Sequence, residues 1–160
     1  MGTAAPYRLF LDAGVVLEGC IAPWGASKAV LVLATLREHY TIVLAEAVER
    51  EIRQALVRLA GTANSEIDLV LRSYLGWLGR IRVERVLQPE PSVVARYLPI
   101  VLPVLRHRND LDAVVSALDA RADWVLSTNT AHWGPALATW TGLRIGTPRA
   151  FLEQLSTRLV

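Results

Sequence analysis

Cysteine is nearly missing from this chain: Cys20 is the only one in 160 residues. A lone thiol excludes a disulfide framework and a cysteine-built zinc site. The three histidines, His39, His107 and His132, are too scattered along the chain to suggest a zinc site either. Lysine is as scarce, with Lys28 the sole example, so the basic side chains are otherwise arginines. Arginine suits bidentate phosphate recognition, although the same bias follows from GC-rich coding. No apolar run approaches the ~20 residues of a membrane-spanning helix; the longest extends from Ala29 to Leu36. No secretory signal is visible before the first strand-like segment. There is no glycine-rich phosphate loop, no Ser/His/Asp order with a nucleophile elbow, no repeat and no linker. These absences lead to the expectation of a single domain over residues 1–160, soluble and cytoplasmic, with a reduced thiol. A net charge of +2 tolerates nucleic acid as a partner without demanding it.

What is present is apolar sequence, 52% of the chain, enough for a substantial core and for a surface of self-association. Tyr7 to Asp12 is a continuous apolar run, the pattern of a strand buried on both faces. Ser27 is positioned to cap a helix running to Arg37. A second strand covers Tyr40 to Leu44, followed by a helix from Glu46 to Ala60 that Gly61 stops. Asn64 or Ser65 caps the next helix, which reaches Leu78. Ile81 to Leu87 alternates apolar and charged residues and reads as an edge strand. Ser92 to Leu98 reads as helix, and Pro99 and Pro103 predict a bent connection after it. A helix is expected over Asp110 to Ala122, strands over Trp124 to Ser127 and Leu143 to Ile145, and a last helix from Pro148. This alternation predicts an α/β fold, a three-layer α/β/α sandwich around a mostly parallel sheet. In such folds ligands gather beyond the carboxyl ends of the strands, where Asp12 and Asn129 fall.

Three acidic residues stand out. Asp12 closes the first strand, where it either forms a turn with its own backbone or meets a partner that compensates its charge beside the core. The helix after the second strand turns Val48, Ile52, Ala55 and Leu59 to one face, with Glu49 and Glu51 bordering it on opposite sides; helical phase alone barely separates the two. Asp110 aligns with the inward Ala113, Val114 and Ala117, whereas Asp112 and Asp119 point the other way. It either charges the first helical turn or serves as a ligand. Arg106, His107 and Arg108 form a basic cluster that either holds a polynucleotide backbone or is a solvated loop. His132, beside Trp133, fits packing and hydrogen bonding better than catalysis.

In order and spacing, these segments resemble the PIN-domain ribonuclease family, including VapC-type toxins of toxin–antitoxin pairs. The resemblance rests on Arg-Leu-Phe-Leu-Asp12, on Gly-Ala-Ser-Lys-Ala-Val-Leu at 25–31, and on Val-Glu-Arg-Glu51-Ile. It continues through the stretch from Asn109-Asp110 to Ser-Thr-Asn129, His132-Trp133, and Thr-Pro-Arg-Ala-Phe-Leu at 147–152. It implies a PIN-like sandwich and an acidic cluster that binds Mg²⁺ or Mn²⁺ and cuts RNA. Carried over by position, the catalytic set is Asp12, Glu51, Asp110 and Asn129, with Asp12, Asp110 and Glu51 on the metal and Arg106 and Arg108 on the substrate. The family register, not helix phase, selects Glu51 over Glu49. A small antitoxin protein and a homodimer are the partners the resemblance implies. Two departures stand out: the Thr-Asn that typically follows the first acid is Ala13-Gly14 here, and the fourth position, usually Asp, is Asn129. They favour, as the alternative, a PIN-like domain that binds RNA or protein without cutting. A receiver-like domain is disfavoured because a paired Asp after the first strand and a strand-end Lys are lacking.

Overall fold

A computed structural model describes residues 6–36, 39–62 and 66–159. Five parallel strands form one sheet in the order β3-β2-β1-β4-β5: β1 (Tyr7–Leu11), β2 (Tyr40–Ala45), β3 (Val83–Val86), β4 (Trp124–Leu126) and β5 (Ile145–Gly146). The central strand β1 sets Leu9 beside Ile42 of β2 on one side and beside Trp124 of β4 on the other. Leu9, Phe10, Leu11, Ile42, Val43, Leu44, Val125 and Leu126 are all fully buried. Continuous apolar runs are what a strand covered on both faces requires. The edge strand β3 keeps Glu84 and Arg85 in solvent, as its alternating sequence dictates.

Among the described residues eight helices cover the sheet: α1 (Ala13–Ile21), α2 (Ala26–Ala34), α3 (Glu46–Ala60), α4 (Ile67–Leu78), α5 (Pro91–Val101), α6 (Leu111–Asp119), α7 (Pro135–Thr141) and α8 (Pro148–Leu159). The connections β1 to β2 to β3 run one way across the sheet and β3 to β4 to β5 run back. Right-handed crossovers therefore place their helices on opposite faces. The packing agrees: α1 lies against α2, α3 and α4, and α2 against α8, while α5 lies against α6 and α7. The result is the expected three-layer α/β/α sandwich. Phe151 of α8 clamps one end of the sheet, its ring edge-on to Tyr7, Tyr40 and Trp124 with centroids 5.6–6.0 Å apart. Among the described residues no single helix is long and apolar enough to cross a membrane.

Several local expectations need correction. Helix α2 is capped by Gly25, at φ 118°, rather than Ser27; the buried Ser27 hydroxyl instead donates to Glu18 at 2.6 Å. Helix α5 runs through Pro99. The bond that Pro99 cannot donate would have gone to Ala95, and both residues are exposed, so the freed carbonyl is not sealed in the core. The helix expected from Asp110 begins with a 3₁₀ turn over Arg108–Asp110. It ends at Asp119 rather than Ala122, and Arg121 follows in the left-handed region at φ 51°. The expected caps Asn64 and Ser65 lie outside the described residues, as does the expected helix end at Arg37. Helices α1 and α7 were not expected at all.

Candidate active site

The carboxyl end of β1 delivers Asp12 to the rim of the sheet. Its backbone N–H donates to Leu126 O of β4 at 3.0 Å, which fixes it between the two central strands. It caps α1: Oδ1 accepts the Ala13 N–H at 2.9 Å, and Oδ2 accepts the Ser127 hydroxyl at 2.7 Å. Ser127 is itself buried, and its Oγ accepts the Asn129 N–H at 3.0 Å. The loop after β4 is thus folded back onto Asp12. Burial holds the Asp12 carboxyl above its ordinary pKa and the nearby Asp110 charge adds to this; the Ser127 and Ala13 hydrogen bonds and His132 pull the other way.

The structure separates the two glutamates that helical phase left open. Glu49 turns toward β3 and pairs with Arg85 at 3.5 Å. Glu51 turns toward Asp12 and Asp110. Its carboxyl lies at the rim of the cavity they share, open to solvent on one side. Burial by the walls raises its pKa first, then the charges of Asp12 and Asp110, against His132 and Arg58. Asp110 stands between the 3₁₀ turn and α6, mostly buried, with Oδ2 2.9 Å from His132 Nδ1. That contact lacks the geometry of a hydrogen bond, and Asp110 Oδ2 is left buried with no hydrogen-bond partner. The His132 ring stacks on His107 with centroids 4.3 Å apart, and the turn from Asn129 positions it: the His132 N–H reaches Asn129 Oδ1 at 3.3 Å. Trp133 anchors the turn by packing on Phe10 at 5.9 Å.

Two cavities of about 440 and 380 Å³ meet at this point, both lined by Asp12, Glu51, Gln54, Asn109, Asp110 and Trp133. The first extends past Arg58, His107, Thr128, Asn129 and His132; the second extends past Arg50, Arg108 and Asp112. The three sequence-selected carboxylates and Asn129 thus face a common space. Of the two substrate arginines selected from sequence, Arg108 lines it and the exposed Arg106 lines neither cavity. Asp112, expected to point away, lines the second cavity and lies 4.0 Å from Arg50. Arg50 and Arg58 were missed, and Thr128 was given no role of its own. Arg58 was detectable, because it follows Glu51 by two helical turns and so shares its face of α3. Thr128 belongs to the polar cluster Ser127-Thr128-Asn129 that ends the strand-like run from Trp124. Its hydroxyl fills the room that Gly14 leaves: a Cβ on Gly14 would stand 3.2 Å from Thr128 Oγ1 and 3.9 Å from Asp12 Oδ2.

The donor set is chemically suited to a hard divalent cation: all oxygen, net negative, with one buried carboxylate oxygen that has no hydrogen-bond partner beyond the close His132 ring. The spacing limits the kind of site. Among the described residues no group of three or more Asp, Glu, His or Cys stands close enough to enclose an ion. A dry protein cage is therefore not on offer, whereas Mg²⁺ ordinarily keeps several waters and takes one or two carboxylates directly. The residues fit a largely hydrated ion of that kind.

No protein-family model matches the sequence, and no curated protein does. Solved structures do match the fold. The crystal structure of VapBC2 from Rickettsia felis, bound to a DNA fragment from its promoter, superposes with TM-score 0.63 at 12% identity, over 88% of this chain and 98% of that one. PAE2754 from Pyrobaculum aerophilum gives TM-score 0.63 at 15% identity, over 98% and 99% of the two chains. FitAcB from Neisseria gonorrhoeae gives 0.54 at 18%, over 88% and 98%. At such identities the likeness is one of architecture: the chain has the PIN-like α/β/α fold, with its carboxylates gathered at the carboxyl edge of the parallel sheet.

Proposed function

We propose that the protein is a metal-dependent endoribonuclease that hydrolyses RNA phosphodiester bonds, acting as the toxin of a toxin–antitoxin pair. The observation that carries this reading is the cavity shared by Asp12, Glu51 and Asp110, in which Asp110 adds to the cost of ionising Asp12, and Asp12 and Asp110 add to that of Glu51. Carboxylates in that situation need a proton or a cation, and near neutral pH a divalent cation is the better partner. Asp12 and Asp110 would hold the Mg²⁺ or Mn²⁺. Bound there, the cation supplies Lewis acidity, acidifying water and offsetting charge on phosphoryl oxygens. Glu51, open to solvent, orients the attacking water from its own side of the cavity. Arg58 at one end and Arg108 at the other anchor the phosphates that flank the scissile bond. The Thr128 hydroxyl stands in the place a polar side chain at position 14 would take and contacts substrate or ordered water. The toxin reading is supported by VapBC2, crystallised on promoter DNA, and it entails a small antitoxin partner and a homodimer.

The test is cleavage of single-stranded RNA with Mn²⁺, comparing wild type with Asp110→Asn. Metal-dependent cleavage that disappears in the variant supports the proposal; equal cleavage by both ends it. A second reading, a domain that binds RNA or protein without cutting, is favoured by the uncharged Asn129, whose Oδ1 faces the His132 N–H. RNA binding without cleavage and without Mn²⁺ uptake would select it.

A further inference from the structure

Two imidazole rings that the proposed chemistry leaves idle stand together in the larger cavity. His132 and His107 stack with centroids 4.3 Å apart and planes tilted by 38°. The stack is held from behind. The turn from Asn129 carries His132, and the next residue, Trp133, is buried against Phe10. His132 is the inner ring, partly buried beside Asp110; His107 is the outer one, exposed just before the 3₁₀ turn. With one face of His107 covered by His132, the ring offers its other face and its edge to the cavity that it lines.

The groups nearby are of the wrong kind for an ion alone. Gln54 and Asn109 line the same cavity, and neither side chain hydrogen-bonds to another described residue. An amide carries an acceptor as well as donors. A phosphodiester only accepts hydrogen bonds and a metal ion binds only acceptors, so neither uses both halves of an amide. A nucleobase edge does. The cavity, about 440 Å³, falls in the size range of small-ligand sites.

We propose that His107 is the stacking platform for one unpaired nucleobase of the RNA. The base continues the His132–His107 stack and turns its edge to the amides of Gln54 and Asn109. This rests on the nucleic-acid reading of the site and names the form of RNA it takes. Bases stack on aromatic side chains, histidine included, whatever their identity, because every base has a π-face. In a duplex both faces of a base are covered by its neighbours, so the platform selects a single strand with a base splayed out. Arg108, next in the chain, lines the adjoining cavity, so one loop grips both base and backbone.

The test is the affinity, by fluorescence anisotropy, of a short labelled single-stranded oligoribonucleotide made abasic at one position at a time, with Ca²⁺ in place of Mn²⁺. Wild type should bind the intact strand saturably. One abasic position, and pairing of the strand into a duplex, should each weaken binding about tenfold or more. His107→Ala should weaken binding of the intact strand about as much, and the sensitive abasic position should then cost nothing further. His107→Phe, which keeps a ring on His132 but has no ring nitrogen, should bind like wild type. A strand that binds with no sensitive position overturns the proposal, as does an abasic penalty that persists in His107→Ala. So does a His107→Phe variant as weak as His107→Ala, which would assign the residue to charge or hydrogen bonding. No binding of any strand overturns it together with the nucleic-acid reading. Cleavage of the intact strand with Mn²⁺, measured alongside, separates the two claims: the abasic pattern without cleavage keeps the platform and ends the nuclease, and cleavage without the pattern does the reverse.

Discussion

Asp12 serves two roles that pull its ionisation in opposite directions. As the cap of α1 and acceptor of the Ser127 hydroxyl it is best ionised, yet burial and the neighbouring Asp110 oppose the charge. Glu51 shares the second burden without the first, since its raised pKa comes from burial and from two like charges. For both groups the folded pKa lies above the unfolded value. The folded state therefore binds the proton more tightly, and the associated stability is full below about pH 4 and is lost as pH rises through the raised values. Glu51→Gln removes one of these charges. Its Tm should exceed that of wild type near pH 7, with the gap closing toward about pH 4, and added Mn²⁺ should narrow the gap at neutral pH. Thermal denaturation across that range checks the claim; a gap independent of both pH and Mn²⁺ contradicts it. Asp110→Asn bears on chemistry instead. It should lower metal-dependent cleavage by about 100-fold or more, beyond what loss of an outer-sphere contact costs, with an unchanged circular dichroism spectrum. In the sequence, Asp12 and Asp110 were recognisable from strand-end and helix-start positions. Glu51 needed the family register, because phase could not separate it from Glu49; what separates them is Arg85, a partner 36 residues away from Glu49 in sequence.

At the scale of the element, what was legible follows how each segment is buried. β1, β2 and β4 were readable as continuous apolar runs, and α3 and α6 as one-sided helices. Helix α1 was not: Leu11-Asp-Ala-Gly-Val-Val-Leu-Glu-Gly-Cys carries apolar residues on nearly every side, because α1 is covered by α2, α3 and α4, and so has no polar face to reveal its period. Helix α7 escaped because it is short and starts directly after the turn that Trp133 anchors. The glycines of these helices make opposite predictions. A Cβ on Gly19 would stand 2.5 Å from Leu31 Cδ1 and 3.0 Å from the Ser27 carbonyl, where α1 crosses α2. Gly19→Ala should therefore destabilise the protein by about 1–3 kcal/mol through overpacking. Gly76→Ala, with open space above it, should stabilise by about 0.5–1 kcal/mol through helix propensity. Chemical denaturation of the two variants checks both signs; equal effects would contradict the assigned environments of α1 and α4.

At the scale of the whole molecule, the parallel sheet does the gathering. Every strand points its carboxyl end the same way, so residues at the ends of β1 and β4, on the face of α3 and before α6 arrive at one rim although they lie far apart in sequence. The alternation of strands and helices made that rim foreseeable. The cavity's extent was not: Arg58 follows from the helical phase of Glu51, but Arg50 enters through helix packing that no local pattern encodes. The central claim is that this rim, crowded with carboxylates at a spacing too open for a dry cage, is completed by a hydrated divalent cation. Isothermal titration with Mn²⁺ near neutral pH tests it most directly. The account predicts saturable binding by wild type that is lost in Asp12→Asn and Asp110→Asn and retained in Lys28→Gln; no saturable binding by wild type, or binding that survives both aspartate substitutions, would contradict it.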